Sequence, residues 1–225
     1  EAFARLRAEG LVYPCTCSRA ALAQACAAGV DGPVYPGTCR TGPKASPHAA
    51  WRVRAGTGAL RLDDRWRGRI ERDIAGDVGD FVVRRTDGTP GYQLACVVDE
   101  AAQDITEVVR GSDLIGSSLR QRLLQGLLGL PSPAYAHLPV LTGADGRKLS
   151  KQNHAAPATA AAAAANLVHC LRLLQQAPPA GLELVSPAAI VAWACRHWNP
   201  QALPATTTIP VADAAHGMAA PHLAS

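Results

Sequence analysis

Three groups of residues in this chain have types and spacings that could do chemistry. The first is Cys15-Thr16-Cys17 with Tyr35 and Cys39, a pair of thiols one residue apart joined by a phenol and a third thiol. Zinc takes four ligands in a tetrahedron and prefers thiolate and imidazole. Cys15 and Cys17 on a tight turn can reach one ion, and Cys39 can close on it from a separate loop. The fourth ligand stays open among Cys26, His48 and Tyr35, with Cys26 more easily read as packed on a helix. A phenol loses its proton near pH 10, so an ion must help it to bind. The competing reading is three unrelated core cysteines, since the spacing is not a doubled C-x-x-C.

The second group is Lys148-Leu149-Ser150-Lys151-Gln152, just after Asp145-Gly146. Two lysines in a glycine-flanked loop can meet a triphosphate as it reacts. When a carboxylate attacks the α-phosphate, charge builds on the departing pyrophosphate, and Lys148 and Lys151 are suitable point charges to neutralise it. A bare K-x-x-K is more often a solvated surface loop. The third group is Tyr92 with Arg110. Arg110 ends an apolar run at a Gly-Ser-Asp turn. Open α/β sheets bind ligands beyond the carboxyl ends of their strands, so a planar guanidinium there can clamp a carboxylate. The plain alternatives are a salt bridge of Arg110 with Asp113 and core packing of Tyr92.

The elements that must position these residues follow from periodicity and turn signals. Residues 1–10 read as the end of a helix closed by Gly10, and 11–14 as a short strand leading into the cysteines. Ser18 caps a helix over 19–28. Residues 30–50 are loop-like. Alternation at 51–54 and 60–62 predicts half-exposed strands. Residues 65–80 read as loop or hairpin, 80–85 as a strand, and 92–98 as either strand or buried helix. Residues 105–109 read as a buried strand. Ser117 or Ser118 caps a helix that ends at Gly129, and 137–141 form another strand. Pro157 fits the first turn of a helix. A helix over 160–176 with an apolar face at Leu167, Cys170, Leu171 and Leu174, and one opened by Ser186-Pro187, complete the pattern.

Composition sets the bounds. The 225 residues are 48% hydrophobic but only 4% aromatic, so Ala, Leu and Val must build the core. The formal charge of +4 permits a phosphate-bearing partner without requiring one. Seven cysteines, an odd number, with no leader pattern at the start, argue against a secreted disulfide framework. No apolar run approaches the ~20 residues of a membrane span. A cytoplasmic monomer is expected.

Taken together, the segments YPCTCSR (13–19), VYPGTCR (34–40), DFVVRRTDGTPGYQLACVVDEAAQDITEVVRGSDL (80–114), LPSPAYAHLPVLTGADGRKLSKQN (130–153) and AWACRHWN (192–199) resemble the glutamyl-queuosine tRNA(Asp) synthetases, relatives of the bacterial glutamyl-tRNA synthetases. The resemblance covers almost the whole chain and weakens after residue 200. It implies an α/β class I synthetase with a Rossmann-like nucleotide-binding fold, in which residues 148–152 are the second class I signature and Lys151 contacts ATP. It implies that Tyr92 and Arg110 bind glutamate, the Arg holding its side-chain carboxylate. It also implies that Cys15, Cys17, Tyr35 and Cys39 hold structural Zn²⁺, which resolves the fourth ligand in favour of Tyr35.

The implied reaction uses ATP with Mg²⁺ to make glutamyl-adenylate, then passes glutamate to the queuosine base of tRNA(Asp). The expected division is residues 1–88 as the end of a first Rossmann half plus an inserted zinc-bearing domain, 89–154 as the second half, and 155–225 as a helical extension. The family's first signature, a HIGH-like motif, is absent, so the sequence is expected to lack an N-terminal part and to be inactive alone. Two rivals remain: a glutamyl-tRNA synthetase cut at both ends, and a non-catalytic, zinc-stabilised RNA-binding remnant.

Overall fold

The computed structural model describes residues 1–42, 48–149 and 159–211. They fall into two compact units, one within residues 1–137 and the other beginning at Leu138.

In the first unit, helix α1 (Ala2–Ala8) buries Leu6 completely and gives way at Gly10, whose φ of +69° suits a residue without Cβ. Strand β1 (Val12–Cys15) then runs into the cysteine turn. Ser18 caps helix α2 (Arg19–Ala25) by accepting a hydrogen bond from the Ala21 N–H. The stretch expected to be loop contains a small antiparallel hairpin, β2 (Ala27–Gly29) and β3 (Gly32–Val34). It is too short, and too rich in Gly and Pro, to show a period of two. Strand β4 (Ala50–Val53) pairs antiparallel with β1, setting Cys15 opposite Ala50, and with β7 (Val82–Arg84) on its other side.

A second sheet holds the hairpin β5 (Ala59–Asp64) and β6 (Gly68–Asp73), followed by β9 (Ala134–Leu138) and β8 (Glu107–Gly111) in the order β6-β5-β9-β8. β5 and β9 run parallel, with Asp64 opposite Tyr135. A π-helical turn at Ile74–Val78 follows β6. Between β7 and β8 lies α3 (Tyr92–Ala102), so the ambiguous 92–98 segment is helical. Its buried positions, Leu94 and Val97, are three apart.

Two expectations are corrected. Strand β8 starts at Glu107 and is not buried: it stands at the sheet's edge, with Val109 52% exposed. Neither Ser117 nor Ser118 caps a helix. A 3₁₀ turn (Ser112–Leu114) leads straight into α4 (Ile115–Leu128), and both serines lie within it. The chain enters this helix through the turn, so the first amides need no hydroxyl cap. Gly129, in the left-handed region, ends it as expected.

The main core joins Leu6, Val53, Val83, Leu94, Val97 and Leu124, each at most 3% exposed. At about 1.5–3 kcal/mol for each buried aliphatic side chain, this cluster outweighs any single polar contact in the unit. A separate cluster of Leu62, Ile115, Leu119 and Tyr135 fills the space between α4 and the β5–β9 sheet.

In the second unit, β10 (Val140–Thr142) pairs in parallel with β11 (Thr208–Pro210). Helix α5 (Ala163–Leu173) follows a 3₁₀ turn at Ala160–Ala162. Helix α6 (Pro187–His197) is capped by Ser186, with Pro187 in its first turn. Val168, Leu171 and Ile190 form its core, and Leu167 packs on it. Cys170 is exposed rather than part of the apolar face. Pro157 lies outside the described residues.

Candidate active site and metal centre

β1 delivers Cys15 at its end, and Cys17 follows in the next turn. Tyr35 comes one residue after β3, and Cys39 one turn later. The sulfurs of Cys15, Cys17 and Cys39 all lie within 4.8 Å of one another. Cys17 and Cys39 Sγ are 3.6 Å apart, close to the ~3.8 Å expected for two sulfurs on one tetrahedral zinc. Tyr35 Oη lies 3.5 Å from Cys15 Sγ and 3.4 Å from Cys17 Sγ, and accepts the Cys39 N–H at 3.0 Å. This cluster could hold a metal ion. Among the described residues, neither Cys26 nor His48 joins it; Cys26 packs against its outside.

Arg52 stands over this cluster. It is 8% exposed, and its guanidinium carbon sits 4.0 Å above the Tyr35 ring. Burial alone would raise the Cys15 thiol, but its hydrogen bonds with Tyr35, the Cys17 N–H and Arg52 bring it down to about 7. Burial, and then its hydrogen bonds to the three cysteines, push the Tyr35 phenol upward. Of the four groups, Tyr35 therefore needs a cation's charge most in order to ligate. Arg52 in turn donates from Nη1 to the Asp80 carbonyl at 2.9 Å.

Asp80 is a hub that sequence reasoning missed. Its fully buried carboxylate takes two hydrogen bonds from Arg40 (2.5 and 2.6 Å), one from Tyr13 Oη (2.6 Å) and one from the Ala55 N–H (2.9 Å). Burial pushes its carboxyl up, but Arg40 and Tyr13 overcome that and hold it below the ordinary range. A cavity of about 680 Å³ connects this region to the start of α3, lined among others by Tyr35, Arg52, Asp80, Tyr92 and Arg120. That is ample room for a small ligand.

Tyr92 opens α3 and is 54% exposed, so it is not a core residue. Tyr92, Cys96 and Glu100 follow one another at four-residue spacing along one helix face. All three feel the positive charge of Arg110. The structure thus brings Tyr92 and Arg110 into one electrostatic neighbourhood and adds Glu100, which the sequence reading did not single out. Burial raises the Glu100 carboxyl, and Arg110 opposes the shift. No ion pair joins the two among the described residues.

Arg110 stands near the end of β8, as expected, but its partner is not Asp113. Its Nη2 donates to Ser118 Oγ at 2.6 Å and to Gln121 Oε1 at 2.7 Å. The guanidinium lies 5.4 Å above the Tyr135 ring. Its Nε is buried without a hydrogen-bond partner. A guanidinium anchored at one nitrogen, with donors left over, is suited to receive a carboxylate.

In the second unit, Lys148 lies on the return arm of a tight hairpin, bridging to Thr142. Gly146, at φ +74°, makes the turn, and Arg147 N–H donates to Asp145 Oδ1 at 2.9 Å. Lys151 and Gln152 lie outside the described residues.

Comparison with known proteins gives the family. Residues 37–169 match the family described as tRNA synthetases class I (E and Q), catalytic domain. A glutamyl-Q tRNA(Asp) synthetase of Thiobacillus denitrificans is 47% identical over 200 residues, covering 88% of this chain and 66% of that protein. The protein of the same name from Aromatoleum aromaticum is 50% identical over 201 residues, covering 88% of this chain and 63% of its own length. This chain therefore spans about two thirds of the length of these curated relatives. Among solved structures, a glutamate-tRNA synthetase from Elizabethkingia anophelis superposes with a TM-score of 0.64 at 19% identity, over 91% of this chain and 48% of that one. A glutamate tRNA ligase from Elizabethkingia meningosepticum, in complex with its amino acid, gives 0.62 over 91% and 49%. The chain belongs to the class I tRNA synthetases of the E and Q type and has their α/β catalytic-domain fold.

Proposed function

We propose that this protein activates L-glutamate with ATP and Mg²⁺ to glutamyl-adenylate, and then transfers glutamate to the queuosine base of tRNA(Asp). The observation that carries this reading is Arg110: a guanidinium near a strand's carboxyl end, pinned at Nη2, with a buried and unpaired Nε. Arg110 holds the side-chain carboxylate of glutamate, and Tyr92 lies against the amino acid. The α-carboxylate attacks the α-phosphate of ATP, a P–O bond breaks, and pyrophosphate leaves. Lys151, with Lys148, neutralises the charge that builds on the departing oxygens. Most of the acceleration then comes from positioning and charge stabilisation. The names of the relatives support the queuosine acceptor. A cytoplasmic location, where tRNA is found, goes with it, and no helix among the described residues is long and apolar enough to cross a membrane.

The division proposed from the sequence, with a zinc-bearing insertion within 1–88, a second Rossmann-like half at 89–154 and a helical extension after it, goes with the same reading. Cys15, Cys17, Cys39 and Tyr35 are the proposed zinc ligands; three clustered thiols and an adjacent oxygen fit its donor preferences. Zinc there supplies a crosslink between the turn after β1 and the loop after β3. Elemental analysis of protein prepared without chelator is expected to find close to one zinc per chain, and Cys39→Ser to lose it.

ATP–pyrophosphate exchange driven by L-glutamate tests the chemistry. Arg110→Ala is expected to lower kcat/KM for glutamate by about 100-fold, through loss of a buried charge pair. Lys151→Ala is expected to depress exchange severely. Transfer assays offering tRNA(Asp) with queuosine beside tRNA(Glu) decide the acceptor; charging of tRNA(Glu) alone would move the assignment to a glutamyl-tRNA synthetase.

A further inference from the structure

Behind Arg110 the structure holds a chain of buried polar groups that the reaction does not itself require. Ser118 Oγ lies 2.7 Å from His137 Nε2, and His137 Nδ1 lies 2.6 Å from Asp64 Oδ2. Ser118, Gln121 and His137 are wholly buried and Asp64 is 5% exposed. Asp64 also accepts the backbone N–H groups of Trp66 and Arg67, at 3.0 and 2.8 Å. Most buried polar groups are hydrogen-bonded, and in this network Arg110 Nε and Gln121 Nε2 are the buried atoms left without a partner. The Asp64–His137 hydrogen bond and its hydroxyl extension thus form one network reaching from the β5–β6 turn to the guanidinium.

The direction of the protons follows from the partners. A carboxylate only accepts, so Asp64 accepts the hydrogen bond from His137 Nδ1. The Ser118 hydroxyl donates to the Leu114 carbonyl at 3.0 Å and stays within 2.7 Å of His137 Nε2. With its own proton committed inward, Ser118 can offer Arg110 only a lone pair. Gln121 Oε1 offers the second acceptor. Both hydrogens of Arg110 Nη2 are thereby taken, while Nε stays unpaired. The Tyr135 ring closes one side of the guanidinium. Ser118, His137 and Asp64 are ordered like a nucleophilic triad, yet Ser118 is inside a helix with no exposed surface, so no substrate could reach it.

We infer that Asp64, His137, Ser118 and Gln121 are positioning residues that fix the Arg110 guanidinium and so select a carboxylate-bearing side chain over its amide. The inference rests on Arg110 being the carboxylate clamp. An Arg free to swing could turn other donors toward the ligand, or itself toward Glu100; one pinned at Nη2 keeps the same donors presented.

The test is glutamate-dependent ATP–pyrophosphate exchange by the full-length protein, with L-glutamine as the competing amino acid. Ser118→Ala and Gln121→Met each remove one acceptor by a separate route, so the test does not depend on a single variant folding. Each is expected to raise KM for L-glutamate about tenfold, the usual scale for a hydrogen bond to a charged group. The KM for ATP and kcat should stay within about twofold, the pattern of lost ground-state positioning. Discrimination against L-glutamine should shrink in parallel. Ser118→Thr keeps the hydroxyl and should recover most of the loss. The inference is overturned if both variants keep the wild-type KM for glutamate while Arg110→Ala raises it, or if Ser118→Thr is as impaired as Ser118→Ala. An unchanged KM in Arg110→Ala would remove the clamp, and this inference with it.

Discussion

At the scale of single residues, the candidates came from residue type and from resemblance. Cys15, Cys17, Cys39, Tyr35, Tyr92 and Arg110 stand out in the chain on those grounds, and the structure gathers the three cysteines and Tyr35. Asp80, Asp64 and His137 do not stand out, because their partners are remote: Tyr13 is 67 residues from Asp80, and Asp64 is 73 from His137. Nothing in a local pattern predicts such pairs. Asp80 has consequences for stability. Asp80→Ala leaves Tyr13, Arg40 and the Ala55 N–H without their acceptor, and is expected to cost about 3 kcal/mol in urea denaturation. That is the low end for a broken buried pair, because the Arg40 side chain is 41% exposed and can rehydrate. The pH dependence has a fixed sign. The folded carboxyl is held below its unfolded value of about 3.9, so its contribution is complete above that value and is lost as pH falls through the folded one. The stability gap between wild type and Asp80→Asn should therefore be widest near pH 6 and close as pH falls below about 3.9; a gap independent of pH would contradict this.

At the scale of elements, capping chemistry was the most legible signal. Ser18 and Ser186 both accept the amide three residues on, as an N-cap does. The reading failed where one element enters another without a cap, at the 3₁₀ turn before α4, and where a strand's apolar residues face outward, as at Val109. Apolar sequence alone does not say which face of a strand is covered. The start of α3 is a further case, because its constraint is steric. A Cβ on Gly91 would lie 2.7 Å from the Val82 carbonyl oxygen and 3.1 Å from the Val83 Cα, both backbone atoms that cannot swing aside. Gly91→Ala must push α3 away from β7, and Tyr92 with it. It is expected to lower stability by about 1–3 kcal/mol, the usual range for overpacking. Thermal melting reads that loss, and KM for glutamate should rise alongside it.

At the scale of the whole molecule, composition set bounds and little else, and the α/β class came from the family resemblance. A low aromatic content correctly implied an aliphatic core, and the modest charge neither required nor excluded a tRNA. Sheet order was not legible: that β5 would lie between β6 and β9, two strands separated by 60 residues of chain, depends on long-range pairing. The cysteine cluster links folding to the surrounding chemistry. Cys17 and Cys39 sit 3.6 Å apart, sulfur to sulfur, with the Cys15 thiol depressed to about 7 beside them. Thiolates attack oxidants and thiols do not. Stripped of a cation, such a cluster is primed for oxidation at Cys15, and either neighbouring sulfur, within 4.8 Å, needs only a small approach to condense with it into a disulfide. Chelation followed by mild peroxide should therefore lower the intact mass by about 2 Da, two hydrogens lost as a bridge forms, and block later reloading with metal. A metal ion held by these sulfurs would shield them, so under the proposed metal reading the history of oxidant exposure decides, as much as metal supply, how many copies can still load an ion.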